Sequence, residues 1–171
     1  MSGILSVVID KIVTAAAGFL IAVLWFDLMF DSQVLRGTGS RTDVRPTGAG
    51  NQGPVLPDAV LASIAGYYRR VTTDASPMGQ LVGAVMAILV VALVFQLESD
   101  EAPVWVSAVS IPAALLATGL AIVRVFGEAR RLGRREDSPE VQSALAGSIF
   151  REHMVCLAAM SVVLGVQIAG A

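Results

Sequence analysis

Four stretches of the chain are apolar over unusual lengths. They cover about residues 4–30, 78–97, 104–126 and 141–169. About 20 apolar residues in a helix cross the hydrocarbon core of a bilayer, so each stretch predicts a transmembrane helix. The first is densest from Ile12 to Phe30, and the fourth is apolar from Met154. The fourth helix is predicted to begin near Pro139. Asp137-Ser138-Pro139-Glu140 supplies capping side chains, a proline for the first turn and an acid for the positive end of the helix dipole. The expected architecture is all-α: a polytopic membrane protein with four transmembrane helices in one bundle, a single membrane domain over 1–171.

The connections differ in character. Residues 31–77 form the long one. Gly37-Thr38-Gly39-Ser40 and Gly48-Ala49-Gly50-Asn51 read as a mobile loop. Within the same stretch, Val60, Leu61, Ile64 and Tyr68 recur at helical spacing between Asp58 and Arg69-Arg70. That pattern predicts a short amphipathic helix lying in the membrane interface. Pro77 then opens the second span. The next connection is short and acidic, with Glu98, Asp100 and Glu101. The third, 127–140, reads as a basic loop carrying Arg130, Arg131, Arg134 and Arg135.

Composition agrees with a membrane protein. Of 171 residues, 55% are hydrophobic and 15% charged, whereas soluble domains carry about a quarter charged residues. The mean hydropathy is +0.72. The net charge of -2 conceals a segregation. The first connection holds Arg36, Arg41, Arg45, Arg69 and Arg70, the third holds four arginines, and the second holds none. Positive residues favour the cytoplasmic side, so both long connections are expected inside and both termini outside. Lys11, the chain's only lysine, argues the other way and is outvoted. Arginine in place of lysine, with abundant Ala, Gly and Val, points to a GC-rich bacterial genome and hence a bacterial cytoplasmic (inner) membrane. The N-terminus reads as a retained helix, because Lys11 follows an apolar stretch and the run after it is too long for a signal peptide. A single cysteine, Cys156, rules out an intramolecular disulfide and a cysteine-based zinc site within one chain.

Helices in lipid associate by close packing of small residues. Gly79 and Gly83, extended by Ala87, have that spacing, as do Ala113, Ala117 and Ala121, and Gly18 with Ala22. The favoured reading is packing inside one bundle. The sharper one is a face for a homo-oligomer or a membrane-protein partner. Pro112 predicts a kink in the third span.

Ionisable residues gather at one depth. Asp27 and Asp31 share a face of the first helix. Arg124 and Glu128 end the third span, Arg151, Glu152 and His153 lie in the fourth helix, and Tyr67, Tyr68, Arg69, Arg70 and Asp74 precede the second span. Acids and arginines near helix ends often pair, and Trp25 and the tyrosines suit interface anchors. The leading reading is therefore a non-catalytic subunit or helix-packing partner whose polar cluster organises the bundle. The alternative is a membrane-embedded enzyme or a metal- or cofactor-binding protein using the same cluster. In that case His153 or Asp27 acts as acid or base, Arg69, Arg70 or Arg151 binds an anionic headgroup or phosphate, and Arg124 is a further candidate of the same cluster. Asp27, Asp31, Glu152 and His153 carry metal-ligating atoms. Glu152 and His153, being adjacent, point about 100° apart on a helix, and no Glu-x-x-His pair of the di-iron type is present. No cofactor is named by any motif. Ser148 and Ser161 lack the context of a nucleophile, no phosphate-binding Gly loop precedes a helix, and no internal repeat supports a transporter. The basic tracts are short and membrane-adjacent, which suits the lipid bilayer and excludes nucleic acid.

The long first span, the loop after it and the four-span order resemble the layout of small membrane oxygenase-like proteins. The resemblance is one of layout, and no residue role comes from it. A reporter fused to the C-terminus is expected to read out as non-cytoplasmic; a cytoplasmic readout would reverse the topology.

Overall fold

The computed structural model describes residues 2–39, 55–74, 76–99 and 103–170. The Gly48–Asn51 stretch, Arg41, Arg45, Asp100 and Glu101, all assigned above to loops, lie outside those residues. The described chain is helical with no strand. In order it forms α1 (Ser2–Asp31), α2 (Gln33–Gly39), α3 (Asp58–Arg69), a π-helical turn (Arg70–Asp74), α4 (Ser76–Glu98), α5 (Val104–Leu120), a second π-helical turn (Ala121–Val125), α6 (Phe126–Arg134) and α7 (Pro139–Gly170). Four segments are long and apolar enough to cross a membrane: Ile4–Gly37, Pro77–Glu98, Val104–Arg134 and Pro139–Gly170. This is an all-α membrane bundle.

The bundle has two storeys. In the first, α1, α4, α5 and α7 pack around Val13, Ala17, Leu20, Leu89, Ala114 and Val163. Their outer faces expose Leu81, Ile88, Val91, Leu115, Leu116 and Val162. A soluble protein does not leave such a continuous apolar girdle bare, but a membrane protein turns it to lipid. In the second storey, α3 and α6 pack beside the first half of α7 around Leu61, Ile64, Ala65, Leu132, Ala146 and Ile149. At 30 and 32 residues, α1 and α7 are each about 45–48 Å long, at about 1.5 Å per residue. That exceeds the roughly 30 Å hydrocarbon core, so α7 has length left to join the storeys.

Four expectations change. Gly37-Thr38-Gly39, read as the start of a mobile loop, ends the short helix α2. The apolar face of α3 does not lie against lipid. Leu61, Ile64, Ala65 and Tyr68 are at most 2% exposed and are covered by α6 and α7. The predicted basic loop 127–140 is helical as far as Arg134, because the third span runs on through the second π turn into α6. The connection shrinks to residues 135–138, where Arg135 takes a left-handed φ of 55° and ends α6. The Gly79–Gly83–Ala87 stripe packs within the chain only at Gly79, where a Cβ would meet the Val71 carbonyl at 3.9 Å: nothing lies within 4 Å of a Cβ built on Gly83, and Ala87 is exposed. The same holds for Gly18 and Ala22. The stripe of α5 does face inward, with Ala117 and Ala121 buried and Ala113 packed against the core.

A second polar layer closes the far end of the bundle. Gln96 of α4 donates to Asp10 of α1 (2.7 Å) and to Gln167 of α7 (2.9 Å). Gln167 in turn donates to Gln96 (3.0 Å) and to Ser110 of α5 (3.2 Å). All four long helices thus contribute one polar side chain. An amide left unpaired in hydrocarbon costs several kcal/mol, so reciprocal pairing holds this end in one register. Asp10 and the C-terminal part of α7 meet here, so both ends of the described chain lie at the same end of the bundle.

Gly133 sets how closely α3 and α6 approach. A Cβ there would stand 2.9 Å from the Arg69 nitrogen and 3.1 Å from its Cα. Backbone cannot rotate away as a side chain can. Gly133→Ala is therefore expected to push α6 off α3 and cost about 1–3 kcal/mol. Thermal unfolding in mild detergent checks this, with Gly127→Ala, at a site open for 4 Å, as the reference that carries only the helix-propensity gain of about 1 kcal/mol.

Candidate functional site

The site lies where the storeys meet. The four-residue spacing of Asp27 and Asp31 turns both carboxylates from α1 toward α7 and α3. His153 of α7 meets them with both ring nitrogens. Its Nδ1 lies 2.6 Å from Asp31 Oδ2, and its Nε2 lies 3.9 Å from Asp27 Oδ2, beyond hydrogen-bond range. Tyr68 donates from Oη to the other Asp31 oxygen at 2.6 Å, and Tyr67 donates to Asp27 Oδ1 at 2.5 Å. Phe30 stacks on Tyr67 with ring centres 4.0 Å apart.

Exposure divides the five residues. Asp31 is 1% exposed and His153 is 5% exposed. With both oxygens engaged, Asp31 acts as an internal anchor. As a carboxylate it accepts from Nδ1–H, which assigns the neutral imidazole its proton there and leaves the lone pair on Nε2. Asp27 is only partly buried. Asp27 and His153 line a cleft of about 620 Å³ whose other walls include Val23, Phe26, Met78 and Phe126. The same pair lines a small interior cavity of about 60 Å³ that reaches Thr118, Cys156 and Met160. The Thr118 hydroxyl is buried there without a hydrogen-bond partner. A mainly apolar cleft with a few convergent polar groups is the usual form of a small-molecule site.

Both π-helical turns border this cleft. Val71 and Thr72 come from the first and Val125 from the second. In the second, the Phe126 N–H reaches back five residues to the Ala121 carbonyl. The extra residue rotates α6 relative to α5, a device often found beside functional sites.

No protein-family model, curated protein or solved structure matches the chain. The functional reading therefore rests on geometry.

The other sequence candidates disperse. Arg124 pairs with Glu152 at 2.9 Å and contacts Glu128 at 3.5 Å. Glu152 thus faces α5–α6, while its neighbour His153 faces α1. Arg151 and Arg70 are exposed. Arg69 pairs with Asp74 at 3.6 Å. Among the described residues, no three His, Cys, Asp or Glu side chains are gathered so as to hold a metal. Tyr67 and Tyr68, read above as interface anchors, belong to the site. Their signal in the sequence is that two adjacent phenols precede a span at the depth of two unpaired acids.

Burial, then the carboxylates of Asp27 and Asp31, push both phenols above their ordinary value of 10.0. They remain hydrogen-bond donors at neutral pH. A folded-state value raised above the unfolded one contributes stability that is complete below about pH 10 and declines as pH rises further. Tyr68→Phe is expected to lose about 1.5–3 kcal/mol near neutrality, the range for a hydrogen bond to a charged group, and to show a shallower alkaline decline than the parent. Thermal unfolding followed from about pH 8 to about pH 11 tests both parts.

Proposed function

We propose that this protein is a membrane-embedded acid–base enzyme for a small lipophilic substrate. His153 exchanges a proton with the bound molecule, and Asp31 is the positioning residue behind it. One observation carries the reading: His153 and Asp27 open together onto a cleft, while the opposite ring nitrogen is tied to a carboxylate sealed from solvent. A purely structural ion pair needs no such opening. Asp31 holds the imidazole in one orientation and supports its charge once Nε2 has taken a proton. Asp27 is within reach to stabilise that charge, and Tyr67 holds Asp27. The apolar walls exclude water and bind the body of the substrate. The arginine-rich end of the bundle, by the positive-inside rule, faces the cytoplasm of a bacterial cell, so the cleft opens at the inner leaflet.

A second reading, a helix-packing subunit, draws support from α4. Its Gly83 and Ala87 face outward with nothing of this chain on them. That pattern suits a second copy or another membrane helix.

Purification in mild detergent, with mass spectrometry of what accompanies the protein, separates the two. The enzyme reading expects a bound small molecule that takes up solvent deuterium in the presence of the parent protein. His153→Gln should retain the molecule but lose the exchange, and Cys156→Ser should retain both. A protein that carries a stoichiometric partner chain and no small molecule would favour the subunit. Retained exchange in His153→Gln would remove His153 from the chemistry.

A further inference from the structure

The apolar cleft does not end at the tyrosines. A second, polar cleft of about 520 Å³ adjoins it, and Thr72 and Arg130 belong to the walls of both. Arg69, Arg130 and Arg134 line the polar part, with Thr73 and the single acid Glu136. The arginines of α6 divide into two kinds. Arg131 holds Asp137 through two hydrogen bonds of 2.8 Å, and Arg135 is paired with Asp58. Arg130 and Arg134, one turn apart on the cleft side, have no acidic partner among the described residues. Gly133 lets the backbone of Arg69 come up against the same turn of α6. Two guanidinium groups without an acidic partner among the described residues, with Arg69 (paired with Asp74 at 3.6 Å) beside them, therefore stand next to the apolar cleft that Asp27 and His153 line.

We infer that the molecule taken by this cleft is an anionic amphiphile. Its phosphate-type head group binds Arg130, Arg134 and Arg69, and its apolar body lies along Phe26, Met78 and Phe126. Guanidinium groups suit this because they present forked donors to tetrahedral oxyanions and keep their charge at any working pH. Thr73 adds a hydroxyl. The order of surfaces, charged then apolar then acid–base, matches a molecule that stands head-outward as lipids do. The inference rests on the cleft reading above and adds the head-group chemistry to it.

Binding to the full chain in neutral maltoside micelles tests it, with hexadecyl phosphate, hexadecanol and inorganic phosphate as probes and native mass spectrometry as the readout. Hexadecyl phosphate is expected to bind at least about tenfold more tightly than hexadecanol. In the Arg130→Gln/Arg134→Gln double variant that advantage should vanish while hexadecanol binding stays unchanged. Arg36→Gln, a charge removed outside the cleft, should leave both intact. Equal binding of the phosphate and the alcohol would overturn the head-group assignment and leave the lipophilic cleft standing. Inorganic phosphate binding as tightly as hexadecyl phosphate would assign the arginines to a free anion and overturn the amphiphile. A loss in Arg36→Gln matching that of the double variant would reduce the effect to diffuse surface charge. Failure of both long-chain probes to bind would overturn the cleft reading itself.

Discussion

The buried Asp31 carboxylate constrains most of this structure. At 1% exposure it has no water to solvate it, and an unpaired charge in such a place costs several kcal/mol or more. Its needs are met from two other elements, the imidazole of α7 and the phenol of α3. This one side chain therefore fixes where the storeys join. It draws α3 over the end of the bundle, sets the rotation of α7, and makes α1 the helix both must face. Such a network adds less net stability than its bond count suggests. Its larger effect is to single out one arrangement among helices that would otherwise slide over apolar faces.

The second consequence concerns α7. Glu152 and His153 are adjacent and point well apart, yet both are buried. That is possible because α7 is flanked on two sides. The His153 side meets α1 and α3, and the Glu152 side meets Arg124 from the π turn between α5 and α6. Arg151, between those directions and outward, is left exposed. The π turn at Ala121–Val125 supports this division: Val125 turns in to the second core while Arg124 stays at the rim to reach Glu152.

Four spans, and a polar level that includes Asp27, Asp31 and His153, are legible in the chain, because hydropathy and helical periodicity act within single segments; the end of the third span is not, since its helix runs on to Arg134. Other features depend on which segments become neighbours, and periodicity is silent there. The apolar face of α3 is the same stripe whether it meets lipid or protein. Gly79 and Gly83 read as a packing motif, although the bundle closes along Leu89, Ala92 and Leu93 of the same helix. Arg130 and Arg131 are indistinguishable in sequence, and only the positions of Asp137 and Asp58 separate paired arginines from unpaired ones. Gln96 and Gln167 escape notice because each is one polar residue near the end of an apolar run. Counting depth along all four spans, and asking which polar side chains share a level, would bring them together with Asp10 and Ser110.

The two polar layers serve as controls for each other. Both sit among long apolar helices and bear the same kind of desolvation cost. At the Gln96–Gln167 layer the cost is offset by mutual pairing: two amides, a carboxylate and a hydroxyl satisfy one another, and none of them lines either cleft or the interior cavity. A chain that needed only to lock its helices could have repeated that solution at the other end. There, instead, one half of the network is sealed, with Asp31 held by Tyr68 and His153, and the other half is left facing a cleft through Asp27 and the second nitrogen of the same imidazole. The sealed half gives the open half a fixed orientation and a counter-charge. That asymmetry is what a proton-handling site requires and a helix lock does not, and it is the physical ground of the acid–base proposal.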